Sequence, residues 1–548
     1  MRRGAWVAMC VAAALMVITP AEAMADWPVF GHDLANSRDA DSDGPPAGQV
    51  GSMQKAWTFS SSNGDFTGTP VGAGGTLVAG TNLGSIYALD AVTGKLRWSR
   101  DVGEQINGSA AIDLAAPGGP TVFVPVAQVG SPRLLALSLS TGAVRWDSVL
   151  SQQPTSSVFA SPTYWKGTVY IGTSGPNNDE ATARGSVVAL DEATGRLRWQ
   201  TYSVPPGHDG GAVWSTPAID TTTGRLYVGT GNAYHAPAAD TTDSMLVLSA
   251  ATGQILGHFQ SVPGDVWELD APAGGPDYDF GDSANLITAP DGRALVGEGQ
   301  KSGTYWALDR ATMKPVWQTS VGPGSQADGG VNSSAYDGTR VYGADGTDSQ
   351  IWALGRDGST SWNSLDAGPL HFSPVAMGNG VLYSADFTGF LTARDPASGA
   401  VLAKLPVGGP TWGGISVVGR AVYVAVGLGP LLQPLPETDT SKDDGSGSIV
   451  AFGDTSRSGG ASPAGPSSRG AGIRLSVSPR HARARRFVAF HFRADAGAAI
   501  RLAGRRTLTD RSGRATLRLR FRRPGSYLAR ATKPGLRPAQ VTIRVRGR

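Results

Sequence analysis

Two residues that could do chemistry stand at the two ends of the segment from Gly211 to Asn232. Trp214 offers a flat aromatic ring, and Asn232 offers an amide oxygen that could bind a hard cation. The residues between them are typical of two strands joined by a turn. We therefore expect the rest of the chain to be a scaffold that holds such ends at a common centre.

The composition of the 548-residue chain favours a β-rich protein, because it contains 75 Gly and 36 Pro and only 17% charged residues. Arg2 and Arg3, an apolar run over residues 5–18 and small residues up to Ala25 predict a secretory signal peptide over residues 1–25. A retained membrane anchor is the alternative. We expect a secreted, periplasmic or cell-wall protein without a transmembrane segment after cleavage.

Cys10 is the only cysteine of the chain, and it lies inside the apolar run of the predicted signal peptide. The mature protein should therefore contain no cysteine. This excludes disulfides, thiolate metal sites and covalent c-type haem.

A repeated phrase organises most of the chain. It reads I-Y-A-L-D-A-V-T-G-K-L-R-W where it ends at Trp98, and six further copies follow. The period of about 43 to 60 residues is typical of propeller blades with four strands each. In each copy a buried strand stops at a turn, which contains Thr-Gly in four of the seven, and the next strand leads to a large residue that could dock between blades. The copies end at Trp98, Trp146, Trp199, Phe259, Trp317, Trp362 and Leu405.

An eighth unit is split between the two ends of this region. Residues 445–453 form the first half of the phrase without a following Trp, and residues 54–57 form a second half with nothing before it. Pairing the two halves would close a ring without free sheet edges. The sequence thus predicts an all-β fold, with an eight-bladed propeller over residues 26–453.

The C-terminal part differs in composition. Residues 454–472 are typical of a flexible linker, and residues 473–548 predict a small immunoglobulin-like β-sandwich. Along A-T-L-R-L-R-F, from Ala515 to Phe521, and the following Arg522, successive side chains would face inward and outward in turn. Inward positions are Leu517, Leu519 and Phe521, and outward positions are Arg518, Arg520 and Arg522.

The charge of the chain is divided between these parts. Residues 471–548 contain 21 Lys and Arg against two Asp, a net charge of +19, so the rest of the chain is net −16 when the total is +3. The basic domain could bind an acidic cell-surface polymer, an anionic polysaccharide or nucleic acid. A solvated cationic face of a structural module is the alternative.

The repeats with A-L-D-x-x-T-G-x-x-x-W resemble those of quinoprotein dehydrogenases, propellers that bind pyrroloquinoline quinone (PQQ). The resemblance covers residues 27–453. Noncatalytic propellers, such as outer-membrane assembly scaffolds, share these repeats, so function has to be inferred from the site.

Landmarks of the catalytic family place the metal ligands. G-x-x-W followed by G-T-G-N resembles the family's segment, which implies that Trp214 is one wall against the quinone and Asn232 an oxygen ligand of Ca²⁺. E-x-x-x-R-G at residues 180–185 likewise implies that Glu180 is a carboxylate ligand. Calcium prefers such oxygen ligands.

Two further landmarks place the reacting groups. D-Y-D-F-G at residues 277–281 resembles the segment that provides the catalytic Asp, which we assign to Asp279 before the aromatic residue, with Asp277 as its rival. Asp279 also joins the predicted metal ligands. G-x-G-Q-K-S-G at residues 297–303 places Lys301 at the quinone oxygens, where it would also stabilise developing charge.

The resemblance therefore implies an exported enzyme that oxidises an alcohol, polymeric or secondary alcohols included, by hydride transfer to PQQ with Ca²⁺ as a second cofactor. Asp279 would be the general base, and an external acceptor would take the electrons because the chain carries no haem. The opening W-P-V-F-G-H-D-L-A-N-S-R, G-A-V-W-S-T-P and D-Y-D-F-G are most similar to polyvinyl-alcohol dehydrogenases.

The sequence differs from the pattern of many family members in two respects. The chain lacks the adjacent cysteines with which many members close the other quinone face, and it has Asn107 where many have a PQQ-binding Arg. A noncatalytic propeller that binds protein or polysaccharide is the alternative function.

Overall fold

The computed structural model describes residues 26–175, 181–268, 274–325, 332–365, 370–428, 447–453, 475–483, 486–496, 498–503, 505–521, 525–533 and 539–546. The predicted signal peptide and the predicted linker lie outside these residues.

The described strands up to Gly453 form eight four-stranded antiparallel sheets. We number them from sheet 1, which contains β2 to β5, to sheet 8, which contains β30, β31, β32 and β1. The first strand of each sheet is short: β2 (Val71–Ala73), β6 (Ala111–Asp113), β10 (Thr163–Trp165), β14 (Ala218–Asp220), β18 (Asn285–Thr288), β22 (Asn332–Tyr336), β26 (Ala376–Gly378) and β30 (Ile415–Val418).

The second and third strands are largely buried, and the fourth strands are largely exposed. The second strands are β3 (Thr76–Gly80), β7 (Thr121–Val126), β11 (Thr168–Thr173), β15 (Arg225–Gly229), β19 (Ala294–Gln300), β23 (Arg340–Ala344), β27 (Val381–Ala385) and β31 (Ala421–Val426). The third strands are β4 (Ser85–Asp90), β8 (Arg133–Ser138), β12 (Ser186–Asp191), β16 (Ser244–Ser249), β20 (Thr304–Asp309), β24 (Gln350–Gly355), β28 (Phe390–Arg394) and β32 (Ser448–Gly453). The fourth strands are β5 (Leu96–Asp101), β9 (Val144–Val149), β13 (Leu197–Tyr202), β17 (Ile255–Gln260), β21 (Pro315–Ser320), β25 (Thr360–Leu365), β29 (Val401–Pro406) and β1 (Gln54–Ser60).

Sheet 8 joins the two ends of this region. Its outer strand β1 pairs with β32, from Gln54 opposite Gly453 to Ser60 opposite Ser448. The two halves of the split repeat thus lie in one sheet. The first strands contact each other in the circular order of a β-propeller, from β2 through β6 to β10, from β14 through β18, β22 and β26 to β30, and from β30 back to β2.

The segment from Trp27 to Asp41 runs along the first strands. Its carbonyls accept backbone hydrogen bonds from Gly72, Ile112, Ile219, Leu286, Tyr336, Met377 and Asn379. Arg38 is buried, and its guanidinium donates to the carbonyls of Phe30, Val375 and Ile415 at 2.6, 2.6 and 2.9 Å. Because a buried cation is costly unless every donor is satisfied, these bonds fix the segment across sheets 7 and 8.

Tryptophans on the fourth strands join neighbouring sheets. Trp98, for example, donates from its indole nitrogen to Leu139 of sheet 2 at 2.7 Å, and its ring lies where a Cβ on Gly142 would be. Gly142 has φ of 68°, so the turn needs Gly for its conformation as well as for the space. The same pairing joins Trp57 to Gly94, Trp146 to Gly195, Trp199 to Gly253, Trp317 to Gly358 and Trp362 to Gly399. The predicted docking of tryptophans between neighbours is confirmed at these six junctions.

The junction between sheets 4 and 5 exchanges the two residue sizes. In the register of the sheets, Gly257 takes the position of the tryptophan, because it lies opposite Val247 as Trp199 lies opposite Ala189. The turn of sheet 5 carries Met313 at φ of 55° in place of Gly. A Cβ on Gly257 would meet the Met313 side chain at 3.6 Å.

The described C-terminal residues form two further sheets. One contains β33 (Ser476–Ser478), β35 (Phe487–Arg493) and β38 (Arg514–Arg520). The other contains β34 (His481–Arg483), β36 (Ala499–Leu502), β37 (Arg505–Leu508), β39 (Gly525–Thr532) and β40 (Ala539–Arg546). One apolar core joins the two sheets.

The predicted alternation is present along β38. Leu519 and Phe521 are buried, Leu517 is half-buried, and Arg518 and Arg520 are exposed, while Arg522 lies outside the described residues. A 3₁₀ helix covers Ala47–Ser52. Over the described part of the chain, no helix has the length and apolar composition needed to cross a membrane.

Candidate active site

Four of the predicted site residues lie at one edge of sheets 4 and 5. Trp214 precedes β14, and Asn232 follows β15. Asp279 precedes β18, and Lys301 directly follows β19. Since paired antiparallel strands begin and end at the same edge, and β14 contacts β18, these four residues meet.

Lys301 is the electrostatic centre of the group. Its ammonium nitrogen lies 3.0 Å from Asp277 Oδ2, 3.1 Å from Asp277 Oδ1 and 3.1 Å from Asp279 Oδ2. Burial opposes the charge on Lys301, but Asp279 and Asp277 hold the pKa of its ammonium above the usual value. Lys301 is therefore a permanent cation between two carboxyl groups.

Asn232 links the two sheets. Its backbone N–H donates to Asp279 Oδ1 at 2.9 Å, and its side-chain amide nitrogen donates to the carbonyls of Ala233 and Trp267 at 2.6 and 2.8 Å. Both amide hydrogens are thereby used. Among the described residues, the amide oxygen has no hydrogen-bond donor, and it remains available to a cation.

Trp214 is held by a glycine of the neighbouring sheet. Its six-membered ring lies where a Cβ on Gly281 would be. Lys301 Nζ lies 5.7 Å from the centre of the Trp214 ring, within range of a cation–π interaction. The motif D-Y-D-F-G therefore contributes both carboxylates and the small residue that admits the indole.

Asp277 is the rival of Asp279 as the reacting carboxylate. Burial, together with the negative charge of Asp279, raises the pKa of Asp277 to about 8, although Lys301 opposes this shift. A carboxyl with this pKa is protonated at neutral pH. A protonated carboxyl cannot accept a proton, so Asp277 is the weaker candidate for the reacting base.

Sequence reasoning missed two buried acids beside this pair. Asp243 is fully buried, and neither carboxyl oxygen has a hydrogen-bond partner in the part of the chain that is described. Burial and then Asp279 raise its pKa well above the usual value. Burial also raises the pKa of Asp265, against the hydrogen bond from the Tyr278 N–H. No motif marks either residue, so no sequence signal could have identified them.

Trp267 was missed as well. The centre of its ring lies 6.0 Å from Lys301 Nζ, and its carbonyl accepts the bond from Asn232. The sequence signal was a tryptophan outside the repeat position, ten residues before Asp277.

Glu180 lies outside the described residues. The end of its motif is described, and Gly185 donates its N–H to the Gly210 carbonyl at 2.9 Å. The motif therefore ends beside the segment that leads to Trp214. Asn107, at the position where many family members carry Arg, donates to the Val158 carbonyl at 3.4 Å.

The donor set fits a hard cation and a planar anionic cofactor. The amide oxygen of Asn232 and the carboxylate of Asp279 are ligands that Ca²⁺ prefers, and Asp243 adds buried acid without a cation partner in the described structure. The flat ring of Trp214 beside the Lys301 ammonium suits a conjugated anion. No three His, Cys, Asp or Glu side chains are arranged to hold a metal within the described ranges, which do not include Glu180.

Comparison with known proteins places the chain among propellers. The family model described as outer membrane protein assembly factor BamB matches residues 49–270 and 242–426, more than half of the chain. A polyvinylalcohol dehydrogenase of Pseudomonas sp is 27% identical over 428 residues, which cover 69% of this chain and 66% of the relative. One of Sphingopyxis sp. (strain 113P3) is 28% identical over 414 residues, which cover 65% of this chain and 63% of the relative.

The chain thus spans slightly less than two thirds of the length of these relatives. The crystal structure of quinohemoprotein alcohol dehydrogenase from Comamonas testosteroni superposes with a TM-score of 0.64 at 20% identity, covering 78% of this chain and 80% of that chain. This similarity establishes a common fold.

Proposed function

The chain belongs to the PQQ-dependent alcohol dehydrogenase-like β-propeller family, and from this premise we propose that it oxidises an alcohol with PQQ as the hydride acceptor. The observation that carries the proposal is the contact of Lys301 with Asp277 and Asp279 beside Asn232 and Trp214. The similarity to two polyvinylalcohol dehydrogenases favours a polymeric or secondary alcohol as the substrate.

Each side chain has a role in this proposal. Asp279 accepts the hydroxyl proton of the alcohol, and its contacts with the Lys301 ammonium and the Asn232 N–H position it for this role. Lys301 binds the cofactor oxygens and stabilises negative charge that develops there. Trp214 supports one face of the cofactor. Glu180, Asn232 and Asp279 hold the calcium ion.

PQQ supplies the hydride acceptor when it is bound, and Ca²⁺ supplies Lewis acidity. The protein itself positions the alcohol, receives its proton at Asp279 and shields the reaction from water, since Asp277 and Asp279 are buried. An external acceptor reoxidises the enzyme.

The architecture proposed for this enzyme is a closed eight-bladed propeller over residues 26–453, with one blade for each described sheet. The linker at 454–472 would connect it to an immunoglobulin-like domain at 473–548. A signal peptide over residues 1–25 would export the protein to the periplasm, the cell wall or the medium.

The C-terminal domain would attach the enzyme to an acidic cell-surface polymer. Arg514, Arg518 and Arg520 are exposed on one face of β38, and Arg514 lies opposite exposed Arg493 of β35. Like charges in register destabilise a sheet, so an anionic partner would stabilise this face. The Arg514→Gln, Arg518→Gln double variant should lose salt-sensitive cosedimentation with cell walls. Undiminished cosedimentation would exclude this role of the face.

The experiment that tests the enzymatic function combines the purified apo-protein with PQQ and Ca²⁺. Dye reduction is then followed with a panel of primary, secondary and polymeric alcohols. We expect turnover that requires both cofactors and is abolished by Asp279→Asn while PQQ binding is retained. Absence of both turnover and PQQ binding would refute the enzyme and leave the noncatalytic scaffold.

A further inference from the structure

Two indole rings, and not one, lie beside the Lys301 ammonium. Its nitrogen is 5.7 Å from the centre of the Trp214 ring and 6.0 Å from the centre of the Trp267 ring. Both tryptophans are half-buried, so each ring keeps part of its surface outside the protein core. The two rings belong to different loops, since Trp214 precedes β14 and Trp267 follows β17.

Trp267 is fixed to the loop that carries the candidate calcium ligand. Its N–H donates to the Ala233 carbonyl at 3.0 Å, and its carbonyl accepts from the Asn232 side chain at 2.8 Å. One bond lies on each side of the Trp267 Cα, so together they fix the backbone from which the indole projects. Asn232, which offers an oxygen to the metal, makes one of the two bonds.

A histidine connects the loops that carry the two rings. His235 Nε2 lies 2.9 Å from Glu268 Oε1, next to Trp267, and His235 Nδ1 lies 2.5 Å from Asp209 Oδ2, five residues before Trp214. Asp209 Oδ1 also accepts the His235 N–H at 2.9 Å. The Asp209, His235 and Glu268 side chains thus form a clamp across the two loops.

We propose that Trp267 is the second aromatic wall of the cofactor site, so that the planar quinone is held between the Trp214 and Trp267 rings with Lys301 at its edge. The inference rests on the proposed function. Indole faces are electron-rich, and an electron-poor conjugated ring stacks favourably on them. The chain contains no adjacent cysteines that could close this face of the quinone instead. The clamp at His235 keeps the two rings at a fixed separation.

Cofactor affinity tests the wall directly. PQQ is titrated into Ca²⁺-loaded apo-protein by equilibrium dialysis, which requires no turnover. We expect Trp267→Ala to raise the Kd for PQQ about tenfold or more, and Trp267→Phe to restore most of the affinity, because a stacked ring contributes an interaction of this size. The matched control is Trp165→Ala, which removes an indole at the end of β10 and should leave the Kd unchanged.

The outcomes separate this inference from the function on which it rests. If the wild-type protein does not bind PQQ, the proposed function fails first. If the wild-type protein binds and Trp267→Ala binds equally well, the enzyme stands and the wall is refuted. An increase in KM for the alcohol without a change in the PQQ Kd would assign Trp267 to the substrate and also overturn the wall.

The PQQ dissociation rate tests the role of the clamp. His235→Ala should accelerate PQQ dissociation by about threefold to tenfold, with little change in thermal stability. The dissociation rate is measured by diluting the PQQ-bound protein into a large volume of buffer without PQQ. His258→Ala, on the exterior strand β17, is the control. An unchanged dissociation rate would show that the clamp does not fix the ring separation.

Discussion

Six of the junctions between neighbouring sheets differ from the junction between sheets 4 and 5. The six pair a tryptophan on the outer strand with a glycine in the next turn, as Trp98 pairs with Gly142. The junction between sheets 7 and 8 lacks the pair because Ala403 takes the tryptophan position. The exceptional junction, between sheets 4 and 5, has Gly257 on the strand and Met313 in the turn. The exchange keeps a large residue against a small one, so the total volume is conserved while the indole hydrogen bond is lost.

Polar contacts across the exceptional junction replace that bond. Arg310 Nη1 lies 3.1 Å from Asp220 Oδ2, and the Asn232 N–H lies 2.9 Å from Asp279 Oδ1. The inner edge of the same junction holds the candidate site. The six junctions that serve only as scaffold are therefore held by packing, whereas polar and ionic contacts hold the junction at the candidate site.

The largest effect is expected when a packed junction is broken. Trp146→Ala removes a buried ring and its 2.9 Å bond to the Glu192 carbonyl, and should lower the free energy of unfolding by about 3–5 kcal/mol. Urea unfolding measures this change. Val144→Ala on the same strand, where the side chain is exposed, is the control and should change stability by less than about 0.5 kcal/mol. A similar small change for Trp146→Ala would contradict the packing role.

Breaking the ionic contacts at the site should affect catalysis more than the fold. Lys301→Met leaves Asp277 and Asp279 without the cation that contacts both, and should lower kcat by about 10²–10³-fold. The control, Lys314→Met, removes an exposed lysine of the adjacent turn. Steady-state dye reduction at saturating PQQ and calcium gives the comparison. Equal kcat values for the two variants would remove Lys301 from the site.

The exchange at the exceptional junction can be reversed. Gly257→Trp alone should overpack against Met313, and Met313→Gly alone should leave a cavity, each at a cost of about 1–3 kcal/mol. Together they should recreate a tryptophan–glycine junction and recover about 1–3 kcal/mol relative to the sum of the single changes. Urea unfolding of the four proteins forms the cycle. Additive effects would show that the two residues are not partners.

The smallest effect concerns a titratable group at a packed junction. Burial, together with the neighbouring Asp113, raises the pKa of Glu192 from 4.5 to about 8. The folded state therefore holds this proton more tightly than the unfolded chain, and its stability falls as the pH rises from 4.5 towards 8. Glu192→Gln should raise the thermal midpoint at pH 8.5 but not at pH 4.5. Parallel midpoint curves for the two proteins would disprove the shift.

Much of the propeller could be predicted from the sequence because its repeats combine local signals. A buried run, a tight turn and usually a tryptophan recur in the same order in each repeat, and the two incomplete repeats pair in sheet 8. The register at the exceptional junction could not be predicted. Phe259 ends the looser copy in the sequence, but the pairing of Val247 with Gly257 shifts the docking position by two residues.

The candidate site was predictable only where a motif marks it. Asn232, Asp279 and Lys301 belong to motifs whose order along the chain implies proximity. Asp243 and Trp267 join them through loop conformation, since Asp243 has φ of 47° and Trp267 is placed by two backbone contacts. Such contacts between distant loops leave no periodic signal in one sequence.

The central claim is that Asp279 and Lys301 serve an alcohol-oxidising quinone site, and one single-turnover measurement tests it most directly. Calcium-loaded protein with bound PQQ is mixed with a secondary alcohol in the absence of any electron acceptor, and the absorbance of the cofactor is followed. We predict complete reduction of the bound cofactor by the wild-type protein and none by Asp279→Asn, which still binds PQQ. Bound cofactor that stays oxidised in the wild-type protein with every alcohol tested, or is reduced equally fast in Asp279→Asn, would contradict the account.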